Sequence, residues 1–291
     1  MTSAVAIGGL DAAGSARRRR RRLPITIGLC GLFVLLLIAL ASGGHLIVGD
    51  SPTNQNLTAI GRGPSSGHWL GTDQLGRDVL ARVVAGSQAA LLGPLVVAFS
   101  GLVVSSLLGI LAGYRGGLLD TVIMRVVDLL FALPGLLIVI VVVAVSSGGY
   151  WTAIIVLSVF NVPGDIRIVR GVALEQRSLP YIEAARTVGV PPRRIMFNHV
   201  LPNIAPILVA DFAVDFAGAL VALSGLAFLG LGSQLGTAEW GRMLTDAQTL
   251  LFTNPAAALA PAAAIVLLAV SVNLIGDWLF DRYSARAGRD G

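Results

Sequence analysis

Asp211 and Asp215 stand four residues apart inside a long apolar run, so on a helix they share one face. A carboxylate in hydrocarbon costs roughly 3 kcal/mol or more, and such groups therefore face protein or water. Placed there, the pair can carry protons, line a polar route or bond a neighbouring chain. Asp128 lies in another apolar run with Arg125 three residues before it, a spacing that suits an ion pair on one helix face. Other chemistries lack their residues. His45, His68 and His199 are far apart and show no metal-ligand spacing. The single cysteine, Cys30, rules out an intrachain disulfide and a thiolate metal cluster. The chain contains no lysine, so it cannot carry the phosphate loop Gly-x4-Gly-Lys-Ser/Thr, whose lysine reaches the terminal phosphates. No zinc signature or paired catalytic carboxylate motif is present.

The elements that must position these residues are membrane helices. The 291 residues are 55% apolar and only 13% charged, with a mean hydropathy of +0.81. A soluble domain carries about 25% charged residues. Six segments are long and apolar enough to span, given about 20 residues per crossing. They are residues 25–46, 89–113, 122–146, 150–169, 204–229 and 257–279. The fourth is the weakest, because Asn161, Pro163, Gly164 and Asp165 interrupt its end. An even number of spans puts both termini on one side. That side holds 17 arginines and the other four, namely Arg62, Arg77, Arg82 and Arg242. The positive-inside rule then places both termini, and the loop before the fifth span, in the cytoplasm.

The resulting organisation has a basic cytoplasmic tail (1–23), a first transmembrane helix (24–46) and an extracytoplasmic segment (47–86). A transmembrane core (87–281) with a cytoplasmic loop (170–203) and a short cytoplasmic tail (282–291) follow. Arg17 to Arg22 precede the first apolar run, which is long enough to span and reads as an uncleaved anchor that also suits anionic lipid. Residues Met1 to Ala16 are polar and small enough to be disordered. In the first external segment Trp69 reads as an interface anchor and Asp78–Ala85 as a short amphipathic helix. Residues 239–244 read as a second short helix on the membrane surface.

The loop from Tyr181 to Asn203 is the most patterned part of the chain. Glu183 to Val188 make about one and a half helical turns. Ala184 and Ala185 are small, so a partner can approach the helix backbone. Gly189 permits a positive φ and ends the helix. Pro191 and Pro192 suit the start of a second helix, and Pro202 marks entry to the fifth span. The result is helix, sharp turn, helix: a knob projecting from the membrane.

Glu183-Ala184-Ala185 with Gly189, and Leu201-Pro202-Asn203 beyond, resemble the "EAA" loop of ABC-importer permease subunits. Further stretches follow in the family's order. They are His68-Trp-Leu-Gly-Thr-Asp-Gln-Leu-Gly-Arg-Asp-Val-Leu80, Gly113-Tyr-Arg-Gly-Gly117 with Asp120, Met124-Arg-Val-Val-Asp128 with Phe131 and Pro134, Gly225-Leu-Ala-Phe-Leu-Gly-Leu-Gly232 and Glu239-Trp-Gly-Arg-Met-Leu244. Together they resemble the C-type permease subunit of oligopeptide and dipeptide importers, over about two thirds of the chain. One departure stands out. Leu223-Ser224 occupies a place where the family more often has an acidic residue.

The resemblance implies an all-α, six-span type I ABC-importer permease fold with a cytoplasmic coupling helix. It implies a bacterial cytoplasmic-membrane subunit with no enzymatic activity of its own. Its partners are a second homologous permease, ATP-binding ABC subunits or a fused pair, an extracytoplasmic peptide-binding protein and a peptide substrate; nucleic acid has no place. The chain itself carries no cofactor, and ATP and Mg belong to the partner ATPase. Glu183, Ala184, Ala185, Gly189, Arg193, His199 and Pro202 form the ATPase-coupling loop. Asp128, Asp211 and Asp215 are candidate pathway or subunit contacts, and Asp211 with Asp215 would offer a weak negative lining for a peptide's amino terminus. Trp69, Asp73, Arg77 and Trp240 are candidate contacts with the binding protein. Two alternatives remain open at this level: a permease for nickel or another small solute, and a proton-coupled secondary transporter using the three aspartates. The second leaves the Glu183–Asn203 loop without a role, and no inverted repeat is visible.

Overall fold

The computed structural model describes residues 24–48, 52–146, 149–232 and 236–287. The basic tail, with its six-arginine cluster, and Arg289 lie outside the described residues. The described chain is almost wholly helical, without a named strand.

Among the described residues, five helices are long and apolar enough to cross a membrane. They are α1 (Ile25–Val48), α2 (Val79–Arg115), α5 (Tyr150–Arg177), α8 (Leu201–Phe228) and α10 (Ala256–Ala287). A sixth crossing requires α3 (Gly117–Phe131) and α4 (Gly135–Val145) to act together, and they meet at a 71° bend. The continuous third span expected over residues 122–146 is therefore broken. The cause is local: Pro134 lacks an N–H and biases Leu133 away from helical angles, so the first helix stops and Pro134 caps the next.

Two other boundaries differ from the sequence reading. The short helix expected over Asp78–Ala85 is the first part of α2, which runs through residues 86 and 87 without a break. Asp78 starts it by accepting a hydrogen bond from the Ala81 N–H at 2.8 Å. At 37 residues α2 is roughly 55 Å long, well beyond a hydrocarbon core of about 30 Å. Helix α5 likewise continues through Asn161, Pro163 and Gly164 to Arg177. A proline is tolerated in such a helix where neighbours surround it, and Pro163 is buried.

α2 is the central helix and packs on α5, α8 and α1. Its contact with α5 is close because glycine lines it. A Cβ on Gly109 would stand 2.7 Å from the Val169 Cβ, and one on Gly113 would stand 2.7 Å from the Arg170 carbonyl oxygen. Small residues allow this approach, which drives helix association inside a bilayer. Two buried apolar clusters sit at opposite ends of the bundle. One gathers Val79, Trp240, Met243 and Leu268, and the other gathers Ile110, Tyr114, Ile182, Ile195 and Ile204.

Candidate functional site

The loop folds as helix α6 (Pro180–Thr187), a turn at Gly189, then α7 (Pro192–Ile195), which runs on into α8 through a π-turn at Met196–Val200. Gly189 has φ +78. The Val190 N–H bonds the Ala185 carbonyl at 3.0 Å and the Gly189 N–H bonds the Arg186 carbonyl at 2.9 Å. This pair of bonds is a Schellman ending, and it satisfies two carbonyls that the helix leaves free. The wide turn before α8 coincides with Pro202, which cannot donate a ladder bond. Asn203 Nδ2 donates to the His199 carbonyl at 2.7 Å and to the Tyr181 hydroxyl at 3.0 Å, joining the two ends of the loop.

The knob has a seated side and an open side. Ile182, Ala185, Ile195 and Met196 are buried against Ile110 and Tyr114 of α2 and Val169 and Ala173 of α5. Arg186 lies over the Tyr114 ring, 5.0 Å from its centroid. Glu183, Ala184, Gly189, Arg193 and Pro202 are exposed, and His199 is half-buried. Val188 is 78% exposed at the tip, an apolar residue presented to solvent. Ala185 thus serves the seat of the helix, and Ala184 alone keeps the outer face small.

Within the membrane, Asp128 does not pair with Arg125. Its Oδ1 accepts from Arg167 Nη2 at 2.7 Å, and Arg167 also lies 4.1 Å from the Phe131 ring centroid. One turn on, Arg170 grips both carboxylate oxygens of Asp120, at 2.5 and 2.7 Å. These pairs pin α3 to α5, and Arg167 reached Asp128 because the bend at Pro134 lays α3 beside α5. Asp211 and Asp215 do share a face of α8, and it turns towards α5 of the same chain. Asp215 Oδ1 accepts from Asn161 Nδ2 at 2.8 Å. Asp165 completes a group of three carboxylates with them. Sequence reading treated Asp165 as an interruption, although an ionisable residue within a span is itself a signal of function.

On the opposite end of the bundle, Asp73, Arg77 and Trp240 are 5%, 2% and 2% exposed, so they cannot serve as surface contacts for another protein. They hold down the segment that precedes α2. Arg77 Nε bonds Asp73 Oδ2 at 2.7 Å, and Asp246 Oδ2 lies 3.5 Å from Arg77 Nη2 and 3.4 Å from Arg82 Nη2. Trp240 Nε1 donates to the Val83 carbonyl at 2.8 Å. Helix α9 (Trp240–Asp246) is therefore docked in the protein through Trp240, Gly241, Met243 and Asp246, which are buried. A one-dimensional pattern could not place Arg82 and Asp246, 164 positions apart, in one cluster. Trp69, by contrast, is 74% exposed.

Residues 105–289 match the family model of the binding-protein-dependent transport system inner membrane component. The chain belongs to this family. The permease is 39% identical over 252 residues to the glutathione transport system permease protein GsiD of Pectobacterium atrosepticum, covering 86% of this chain and 84% of that one. It is 39% identical over 266 residues to the GsiD protein of Escherichia coli, covering 91% and 87%. Its fold is similar to that of a chain in the inward-facing MetNI methionine ABC transporter, with a TM-score of 0.59 at 20% identity over 70% of this chain and 97% of that one. The permease is thus a multi-pass inner-membrane subunit of an ABC importer, with the all-α fold of that class.

Proposed function

We propose that this permease forms one half of a pathway that imports small peptides, of the size and polarity of glutathione, across the cytoplasmic membrane. The observation that carries the reading is its 39% identity, over most of both chains, to permeases named for glutathione transport. A second permease completes the pathway. The face of α8 that carries Val214, Val221 and Gly225 opens, with α4 and α10, into an apolar groove of about 830 Å3 that suits such a neighbour.

Power comes from ATP and Mg bound by a separate ATPase that receives the α6 knob. The tip offers what a groove needs: Glu183 and Arg193 as charges, Ala184 as a small face and Val188 as an apolar point. The arginine asymmetry of 17 to 4 supports a cytoplasmic position for the knob and both termini. An extracytoplasmic binding protein delivers substrate, with Trp69 its best-exposed anchor on the other side.

The test is uptake by the purified complex in proteoliposomes charged with ATP and presented with the binding protein. Labelled glutathione or a dipeptide should enter only with ATP, and the uptake should survive an uncoupler. ATP-driven entry of nickel, with no peptide entering, would overturn the substrate reading. Uptake without ATP would overturn the whole assignment.

A further inference from the structure

Asp165 on α5 meets Asp211 and Asp215 on α8 in the interior of the bundle. One carboxylate oxygen from each lies within 4.8 Å of the other two. The residues come from the middle of their helices. Asp165 is about 22 Å along α5 from Tyr150, and Asp211 and Asp215 are about 15 and 21 Å along α8 from Leu201.

An acidic cluster alone does not make a site. The second observation is the state of Asp165. It is 5% exposed, and its Oδ2 is buried and has no hydrogen-bond partner. A buried charged oxygen left in this way is costly unless something positive meets it. This atom and Asp215 Oδ2 both lie close to Gly101 on α2, where a Cβ would stand 2.8 and 3.2 Å from them. The missing side chain at Gly101 leaves room at the oxygens. Asn161 fixes the remaining oxygen of Asp215 by its 2.8 Å hydrogen bond.

No arginine answers the cluster among the described residues. The nearest two that follow Asp165 on α5 are already committed, Arg167 to Asp128 and Arg170 to Asp120 on α3. Either a proton held among the carboxylates or a cation from outside the polypeptide must then offset the charge. Oxygen ligands hold calcium at about 2.3–2.6 Å, so three equally spaced oxygens around one such ion stand up to about 4.5 Å apart. Separations of at most 4.8 Å leave a point no more than about 2.8 Å from all three oxygens, within a few tenths of an ångström of calcium's distance. Magnesium, at about 2.0–2.1 Å, demands a tighter set and keeps its waters. Three carboxylates also favour a divalent ion over a monovalent one.

We propose that Asp165, Asp211 and Asp215 bind one hard, calcium-sized divalent cation inside the membrane, tying α5 to α8 beside Gly101 of α2. The site is structural, and it does not depend on which solute the permease carries.

The test uses the complete transporter in lipid nanodiscs, stripped with EGTA and kept free of nucleotide. Equilibrium dialysis with radioactive calcium should show one saturable site for each copy of this chain, and added calcium chloride should raise the melting midpoint. Asp165→Asn and Asp215→Asn should each weaken calcium binding at least tenfold and abolish the rise. Gly101→Ala should weaken binding with every charge intact, which keeps the test open should an Asn variant fail to assemble. Absence of saturable calcium binding to the unaltered transporter overturns the proposal, as does binding that persists in these variants. Stabilisation by acid in EGTA, with no response to calcium, also overturns it and shows that protons hold the cluster.

Discussion

Arg186 of the knob donates from Nε to the Tyr114 hydroxyl at 3.2 Å, across the seam between α6 and the end of α2. The guanidinium also lies over the Tyr114 ring. Motion applied to α6 should therefore reach α2, the helix that touches α1, α5 and α8. A hydrogen bond and a cation–π contact together contribute about 1–2 kcal/mol. Tyr114→Phe should remove the smaller part and Tyr114→Ala most of it. Uptake per ATP hydrolysed should fall severalfold in Tyr114→Ala, with hydrolysis retained. Unchanged uptake per ATP in that variant would show that force does not pass this way.

Ala184 and Ala185 separate two roles that their adjacency hides. Ala185 is 9% exposed and packs on the bundle, whereas Ala184 faces out. Ala185→Leu should overpack the seat and destabilise by about 1–3 kcal/mol, seen as a lower melting midpoint. Ala184→Leu should leave melting unchanged and abolish co-purification with the ATPase. The reverse pattern would mean that the knob is seated on its other face.

Gly189 holds φ +78 with open space around its Cα, so conformation and not crowding restricts it. A β-branched residue there is strained by about 1–2 kcal/mol. Gly189→Val should expand the turn and lose ATPase coupling at normal membrane expression. Gly189→Asn, which tolerates this region better, should keep much of it. Gly189→Asp, which tolerates the angle but adds a negative charge to the exposed tip, should lose coupling through that charge. Equal transport by all three would remove the turn from the coupling path.

Asp246 faces Arg77, Arg82 and Arg242 together, the last at 3.3 Å. Asp246→Ala strands buried arginines and should cost about 3–5 kcal/mol, read as lost expression and early unfolding. Trp69→Ala removes an exposed ring and should leave melting unchanged while weakening stimulation by the binding protein. Normal stability of Asp246→Ala would show that the cluster is not what holds the segment before α2.

Glu239 stands before α9, and burial pushes its carboxyl up to about 7 against the opposing pull of Arg242. The folded protein therefore holds a proton that the unfolded chain, with an ordinary value of 4.5, releases sooner. Its contribution to stability is complete below about 4.5 and is lost as pH rises through about 7. The melting midpoint in detergent should drop over that window, and Glu239→Gln should flatten the drop. A variant with the same slope as the unaltered protein would assign the dependence elsewhere.

The sequence by itself determined the membrane class, the helical elements and the loop motif, because these follow from local quantities. Apolar length decides a span, and Gly189 with Pro191 and Pro192 decides where one short helix ends and the next begins. The absence of lysine was enough to show that these 291 residues carry no phosphate loop. The tertiary structure decided everything that depends on which residues meet. It broke the third span at Pro134, gave Asp128 to Arg167 instead of Arg125, and turned Ala185 inward. It buried Asp73, Arg77 and Trp240, which a linear reading placed on the surface. It also brought Asp165 to Asp211 and Asp215. The reason is geometric. A helix period tells which residues share a face, but the partner of that face is set by how α2, α5 and α8 pack, and that packing rests on close glycine contacts between residues far apart in the chain.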